Sequence, residues 1–166
     1  DCNISNIIFD SENKIEILTL KANNITDIGM KAFKNEIKKL KNIRELNFHD
    51  NQFCDQGLQY LLEGLENINS LRVLILQNCG ITNIGVKHFA EYFDINPNFL
   101  SNLEIIDFIS NSFDDGCINE LIKIFNSLVE IKKFCLGQTQ ISPYSIYKIF
   151  TKLHKKNPDW YFDNKG

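Results

Sequence analysis

Three histidines are the first place to look for chemistry in this chain. His49 is followed by Asp50, and a carboxylate beside an imidazole is what a general base and its orienting partner require. The two are adjacent at the end of a predicted strand, however, where neighbouring side chains point to opposite sides, so no working pair is expected. His88 and His154 fall in two different predicted helices, with no cysteine or carboxylate at a metal-ligand or triad spacing. No glycine-rich phosphate loop occurs. The residues therefore predict a protein that is not an enzyme, with no catalytic residues, no metal site and no cofactor.

The remaining reactive or charged groups support binding more than catalysis. Lys31, Lys34, Lys38, Lys39 and Lys41 cluster in and after one predicted helix, and read as a solvated face with cations near a helix C-terminus. A net charge of −3 over 166 residues argues against a general nucleic-acid surface or an anionic-membrane surface. No apolar run approaches the ~20 residues of a membrane span. Five cysteines (Cys2, Cys54, Cys79, Cys117 and Cys135) are scattered, with no C-x-x-C pair, which favours a reducing compartment and a cytoplasmic location.

The elements that would position these residues are set out by a repeat. Leu71 to Ile81 reads L-x-x-L-x-L-x-x-C-x-I, and the same pattern starts at Ile15, Ile43, Leu71, Leu103 and Ile131. The starts are 28, 28, 32 and 28 residues apart, with the four extra residues around Ile95-Asn96-Pro97-Asn98. Positions 1, 4, 6 and 11 are large and apolar in every repeat. Alternation at positions 3 to 7 predicts a short strand with positions 4 and 6 inward. Position 9 is Asn23, Asn51, Cys79, Asn111 and Thr139, and a side chain there can satisfy backbone amides left by the turn. A helix follows: Thr26, Thr82, Asp114 and Ser142 suit an N-cap, and position 15 stays small so that the helix can approach the sheet. Positions 16, 19 and 23 form its inward stripe, as in Val86, Phe89 and Phe93.

The period and the run Ile81-Thr82-Asn83-Ile84-Gly85, echoed in Ile25-Thr26-Asp27-Ile28-Gly29, resemble the ribonuclease-inhibitor-like leucine-rich repeats. The resemblance covers residues 15 to about 153. It implies an α/β leucine-rich-repeat solenoid, a horseshoe arc of about five repeats with a parallel concave sheet and helices on the convex side. Residues 1–14 are expected to be an N-terminal leading or capping segment. Residues 15–153 carry the repeats, and residues 154–166 form a C-terminal cap built on a sixth, aromatic strand.

Most members of that class bind proteins, largely through the concave sheet, and the resemblance implies the same here. Outward positions 3, 5 and 7 put Val73, Ile75, Ile105 and Ile109 together as an apolar cluster, where an exposed strand face is usually polar. Asn47, His49, Gln77, Asp107 and Lys133 border it. These nine residues are the expected protein-binding site. Two other roles follow from the resemblance: a sensing or regulatory fragment of a larger NOD-like signalling protein, and a small-GTPase activator of the Ran-activator type. The activators use an arginine on the turn edge, whereas positions 9 to 14 here hold no Lys or Arg and instead carry Asp27, Asp55, Asp114 and Asp115. The register also brings Glu16 beside Arg44 and Arg72 beside Glu104 on neighbouring strands.

Overall fold

A computed structural model describes residues 8–10, 12–153 and 161–163, with Leu153 and 161–163 as backbone only. Six strands, β1 (Ile17–Thr19), β2 (Glu45–Asn47), β3 (Val73–Ile75), β4 (Ile105–Asp107), β5 (Lys133–Cys135) and β6 (Tyr161–Asp163), form one sheet in chain order. Every neighbouring pair is parallel, and equivalent repeat positions lie side by side, as in Leu18, Leu46, Leu74, Ile106 and Phe134. Helices α1 (Asp27–Ile37), α2 (Cys54–Leu65), α3 (Asn83–Ile95), α4 (Ile118–Ser127) and α5 (Pro143–Leu153) connect them. A 3-10 turn, Asp115–Cys117, leads into α4.

The strands are three residues long, shorter than the alternation implies. The chain bends at position 8: Ala22, Asp50, Asn78, Ser110 and Gln138 all take the left-handed conformation, with φ between 49° and 60°. Inter-strand hydrogen bonding still passes through the bend, for example from Ala22 N to His49 O and from Asn78 N to Ile109 O.

The core lies between sheet and helices. Phe33, Phe48, Phe89, Phe108 and Phe134 are fully buried. Phe89 has its ring centre 5.9 to 6.3 Å from those of Phe93, Phe99 and Phe108. The longer third repeat uses its extra residues here: Phe99 packs on α3 and Leu100 closes the layer in a left-handed turn. The first layer departs from the repeat pattern, because Ile15, Leu18 and Leu20 are half-buried while Ile43, Leu46 and Phe48 are fully buried. Among the described residues no strand stacks on the outer side of β1. Phe9 partly covers this end, with its ring 5.9 Å from Phe33 and its amide donating to Glu36.

Position 9 behaves as the chemistry of asparagine dictates. Asn51 Oδ1 accepts from Ile25 N at 2.9 Å and Asn23 N at 3.2 Å, while its Nδ2 donates to the Leu20 and Phe48 carbonyls. Asn111 repeats this with Cys79 N, Ile81 N, Leu76 O and Phe108 O. Cys79 keeps only the donor half, from Sγ to the Phe48 carbonyl at 3.3 Å, since a thiol is a poor acceptor. The turn that would use the missing acceptor is the irregular one. Phe53 there is helical rather than extended, and Cys54 has φ 54°.

Candidate protein-binding face

The sheet face turned away from the helices carries positions 3, 5 and 7. Backbone register aligns Ile17, Glu45, Val73, Ile105 and Lys133 in one row across the strands, and Thr19, Asn47, Ile75, Asp107 and Cys135 in the next. Asn47, His49, Val73, Ile75, Gln77, Ile105, Asp107, Ile109 and Lys133 all lie on or just beyond β2 to β5, and all nine are half-buried. Val73 and Ile105 are direct neighbours, as are Ile75 and Asp107. The apolar side chains are therefore partly shielded by each other instead of standing free in water, as strands ~4.8 Å apart require. Ile17, at the sheet edge, shows the contrast at 64% exposed.

Two details of this face differ from the sequence expectation. Cys135, at an outward position, is buried at 1% exposure. It is a small residue with a strand paired on each side. His49 and Asp50 do not point apart: His49 Nε2 lies 3.1 Å from Asp50 Oδ1. The left-handed backbone at Asp50 swings its carboxylate back over the strand end, which strict alternation does not anticipate. Asn78 Nδ2 also donates to that carboxylate at 2.9 Å. The arrangement can orient an imidazole, and it also gives the strand ends a polar border.

The position-8 border was not legible as a site. Ser110 Oγ donates to Gln138 Oε1 there, alongside the Asp50–Asn78 contact. Asn and Asp tolerate the left-handed region, but Ala22, Ser110 and Gln138 give no such signal. On the opposite border the expected lateral ion pairs form: Arg44 Nε is 3.6 Å from Glu16, and Arg72 bonds Glu104. Lys132 adds a second cation to Glu104 at 2.8 Å, and these hydrogen bonds hold the Glu104 carboxyl below its ordinary value.

The acidic turn edge is occupied by internal bonds. Asp55 in α2 accepts from Thr82 N at 2.8 Å and Gly85 N at 3.0 Å, and from the Thr82 hydroxyl at 2.6 Å, so it caps the helix of the next repeat. Asp115 accepts from Ser142 N in the same sense, and Asp114 bonds Asn83 and Gly116 N. Hydrogen bonds from Asn83 and Ser142 keep both carboxyls below the usual range. The Asp55 carboxylate leaves no room for a side chain at Gly85, where a Cβ would lie 2.3 Å from Asp55 Oδ1, whereas at Gly57, the same repeat position, a Cβ would meet Phe53 at 2.4 Å. Thr26, expected as a cap, makes no such bond, and its hydroxyl is buried without a partner.

On the helical side, a cleft of about 150 Å³ between α2 and α3 is lined by Gln59, Leu62, His88, Glu91, Tyr92 and Ile95. His88 Nδ1 has no hydrogen-bond partner there, and burial pushes the Tyr92 hydroxyl up to about 12. The cleft is below the ~300 Å³ at which pockets begin to enclose drug-sized ligands. Lys34 and Lys39 of the lysine cluster pair with Glu63 and Glu36. His154 lies outside the described residues. Among the described residues no group of three or more His, Cys, Asp or Glu is placed to hold a metal, and no helix is long and apolar enough to cross a membrane.

A parallel sheet in chain order, an asparagine-held turn and one helix per repeat define a leucine-rich-repeat solenoid. Residues 12–34 and 67–90 match the family described as Leucine Rich repeat. Over 119 residues the chain is 27% identical to Protein NLRC5 of Ictalurus punctatus, covering 72% of this chain and 7% of that protein. Over 123 residues it is 28% identical to Ribonuclease inhibitor of Mus musculus, covering 68% of this chain and 27% of that protein. The chain spans well under two thirds of the length of either relative. In its solenoid fold and in these matches the chain is similar to the ribonuclease-inhibitor-like leucine-rich repeats.

Proposed function

We propose that this protein is a non-catalytic interaction module that captures a protein partner on its concave sheet face, in the cytoplasm. Residues 15–153 supply the binding arc in this reading, with 1–14 and 154–166 closing its ends. The observation that carries it is that Val73, Ile75, Ile105 and Ile109, all half-buried, lie on or just beyond two neighbouring strands of a face that also carries polar and charged side chains. Asn47, His49, Gln77, Asp107 and Lys133 form the polar rim that tunes partner choice and association rate.

Capture from lysate followed by mass spectrometry tests the reading. The double variant Ile75→Asp with Ile105→Asp is expected to lose the proteins that the native chain enriches, while retaining a cooperative thermal transition. Lys31→Glu with Lys38→Glu is the control, because both lysines are exposed on α1 or its end. Unchanged capture by the aspartate variant would sink the proposal.

The match to Protein NLRC5 favours a second reading. These repeats correspond to 7% of that protein's length, so repeats of this kind also occur as a small part of a much larger chain. In that reading the same face serves as the sensing or regulatory segment of a signalling protein.

A further inference from the structure

The outer side of α5 departs from the repeat. Position 17 is Lys31, Gln59, Lys87 and Asn119 in the first four repeats, polar in each, and Tyr147 in the fifth. Tyr147 is 65% exposed, and Tyr144, three residues before it, is 77% exposed. At about 100° per residue, Tyr144, Tyr147, Lys148, Thr151 and Lys152 share an arc of about 140°. All five are exposed, while Ile146 and Ile149 turn to the core. Lys148 and Lys152 join none of the ion pairs among the described residues. Neither tyrosine ring meets another ring or a cation among those residues.

The charge of this face is set apart from the rest of the chain. Glu130 and Asp159 are the nearest acids before and after α5 in the sequence. Asp115, whose carboxylate reaches the start of α5, is already engaged by Ser142 N. With two lysines and no acid in α5, and a net charge of −3 overall, the remainder of the chain stands at −5. A long polyanion such as nucleic acid would run off the two lysines onto that acidic body. A short segment with its negative charge confined to one turn would not. Lys148 and Lys152 are one turn apart, about 6 Å along the axis, which matches two carboxylates at i and i+4 of a second helix. The two tyrosine rings beside them give that helix an apolar surface to cover.

We infer that the outer face of α5 is a second interaction surface, which takes an acidic amphipathic helix of a protein partner. Two carboxylates one turn apart meet Lys148 and Lys152, and apolar side chains on the same face cover Tyr144 and Tyr147. This surface lies on the helical side of the solenoid and does not depend on the concave-face reading above.

Three stapled helical peptides sharing two leucines test this, with Glu, Gln or Lys at two positions four residues apart. Fluorescence polarisation against the full chain at low salt is expected to show the Glu peptide binding about fivefold tighter than the Gln peptide, with the Lys peptide weakest. Lys148→Glu with Lys152→Glu should transfer the preference to the Lys peptide. Tyr144→Ser with Tyr147→Ser should weaken the Glu peptide by about tenfold or more, with circular dichroism confirming that each variant is folded. Ile75→Asp with Ile105→Asp should leave its binding unchanged. Equal binding of the three peptides, or loss of binding in the folded Ile75 and Ile105 variant, would overturn the α5 surface. A proline-interrupted Glu peptide that binds as tightly as the stapled one would overturn the helical shape of the partner. Oligo(dT) that displaces the Glu peptide at a lower concentration than its own unlabelled form does would overturn a protein helix in favour of nucleic acid. No binding of the Glu peptide at about 1 mM would overturn the proposal.

Discussion

Phe89 concentrates the packing of the middle repeat in one side chain, since it is fully buried and meets three other rings. Removing a ring from such a site loses its transfer energy and leaves a cavity that the neighbouring rings cannot fill. Phe89→Ala is expected to cost about 3–5 kcal/mol in a urea melt; a cost under about 1 kcal/mol would show that the layer rearranges freely. This residue was legible, because position 19 lies on the inward stripe whatever the details of the turns. Asn51 and Asn111 were legible too, since an amide supplies both the acceptor and the donors that a tight turn needs. The His49–Asp50 contact and the burial of Cys135 were not. Both depend on local geometry: a left-handed residue in one case, and a small side chain between paired strands in the other.

At the scale of elements, the starts of α3, α4 and α5 are held by side chains of the repeat before, which no reading of one repeat reveals. Asp55 suits the first turn of its own helix, and a sequence reading stops there. In the structure its carboxylate reaches 27 to 30 residues ahead and accepts three hydrogen bonds at the start of α3. Asp27 occupies the same repeat position, yet the corresponding amides of Cys54 and Gly57 bond Cys79 O and Phe53 O instead. Asp55→Ala should therefore cost about 1–2 kcal/mol, as loss of a helix cap does, and should speed hydrogen exchange at Thr82 and Gly85. Asp27→Ala should cost under about 0.5 kcal/mol. Equal losses from the two substitutions would mean that Asp55 acts only through its own helix.

For the whole molecule, hydrogen-bonded carboxyls on one side and buried thiols and a buried phenol on the other give a pH window. Glu36, Glu104, Asp114 and Asp115 are all held below their ordinary values by hydrogen bonds to Lys39, Lys132, Asn83 and Ser142 respectively. A depressed carboxyl contributes stability above its unfolded value, near 4.5 for glutamate, and loses it as pH falls through the folded value. At the alkaline side the signs reverse. Burial pushes Cys79 and Cys117 from 9.0 up to about 12, and Tyr92 from 10.0 up to about 12. Such groups stabilise the fold fully below their unfolded values, and the contribution is lost as pH rises toward 12. The melting temperature should accordingly be nearly flat from about pH 5 to 8.5 and fall on both sides. Glu104→Gln should lower the plateau slightly and reduce the acid-side fall, because the neutral amide no longer gains from Arg72 and Lys132 as pH rises. Cys79→Ala should reduce the alkaline-side fall, at the cost of the Sγ–Phe48 hydrogen bond. The check is a series of thermal melts from pH 3 to 11 on the native chain and both variants. A native melting temperature that keeps rising from pH 5 toward pH 3, or a Glu104→Gln profile parallel to the native one, would contradict the carboxylate part. A Cys79→Ala profile that falls as steeply above pH 9 as the native one would remove Cys79 as a cause of the alkaline limit.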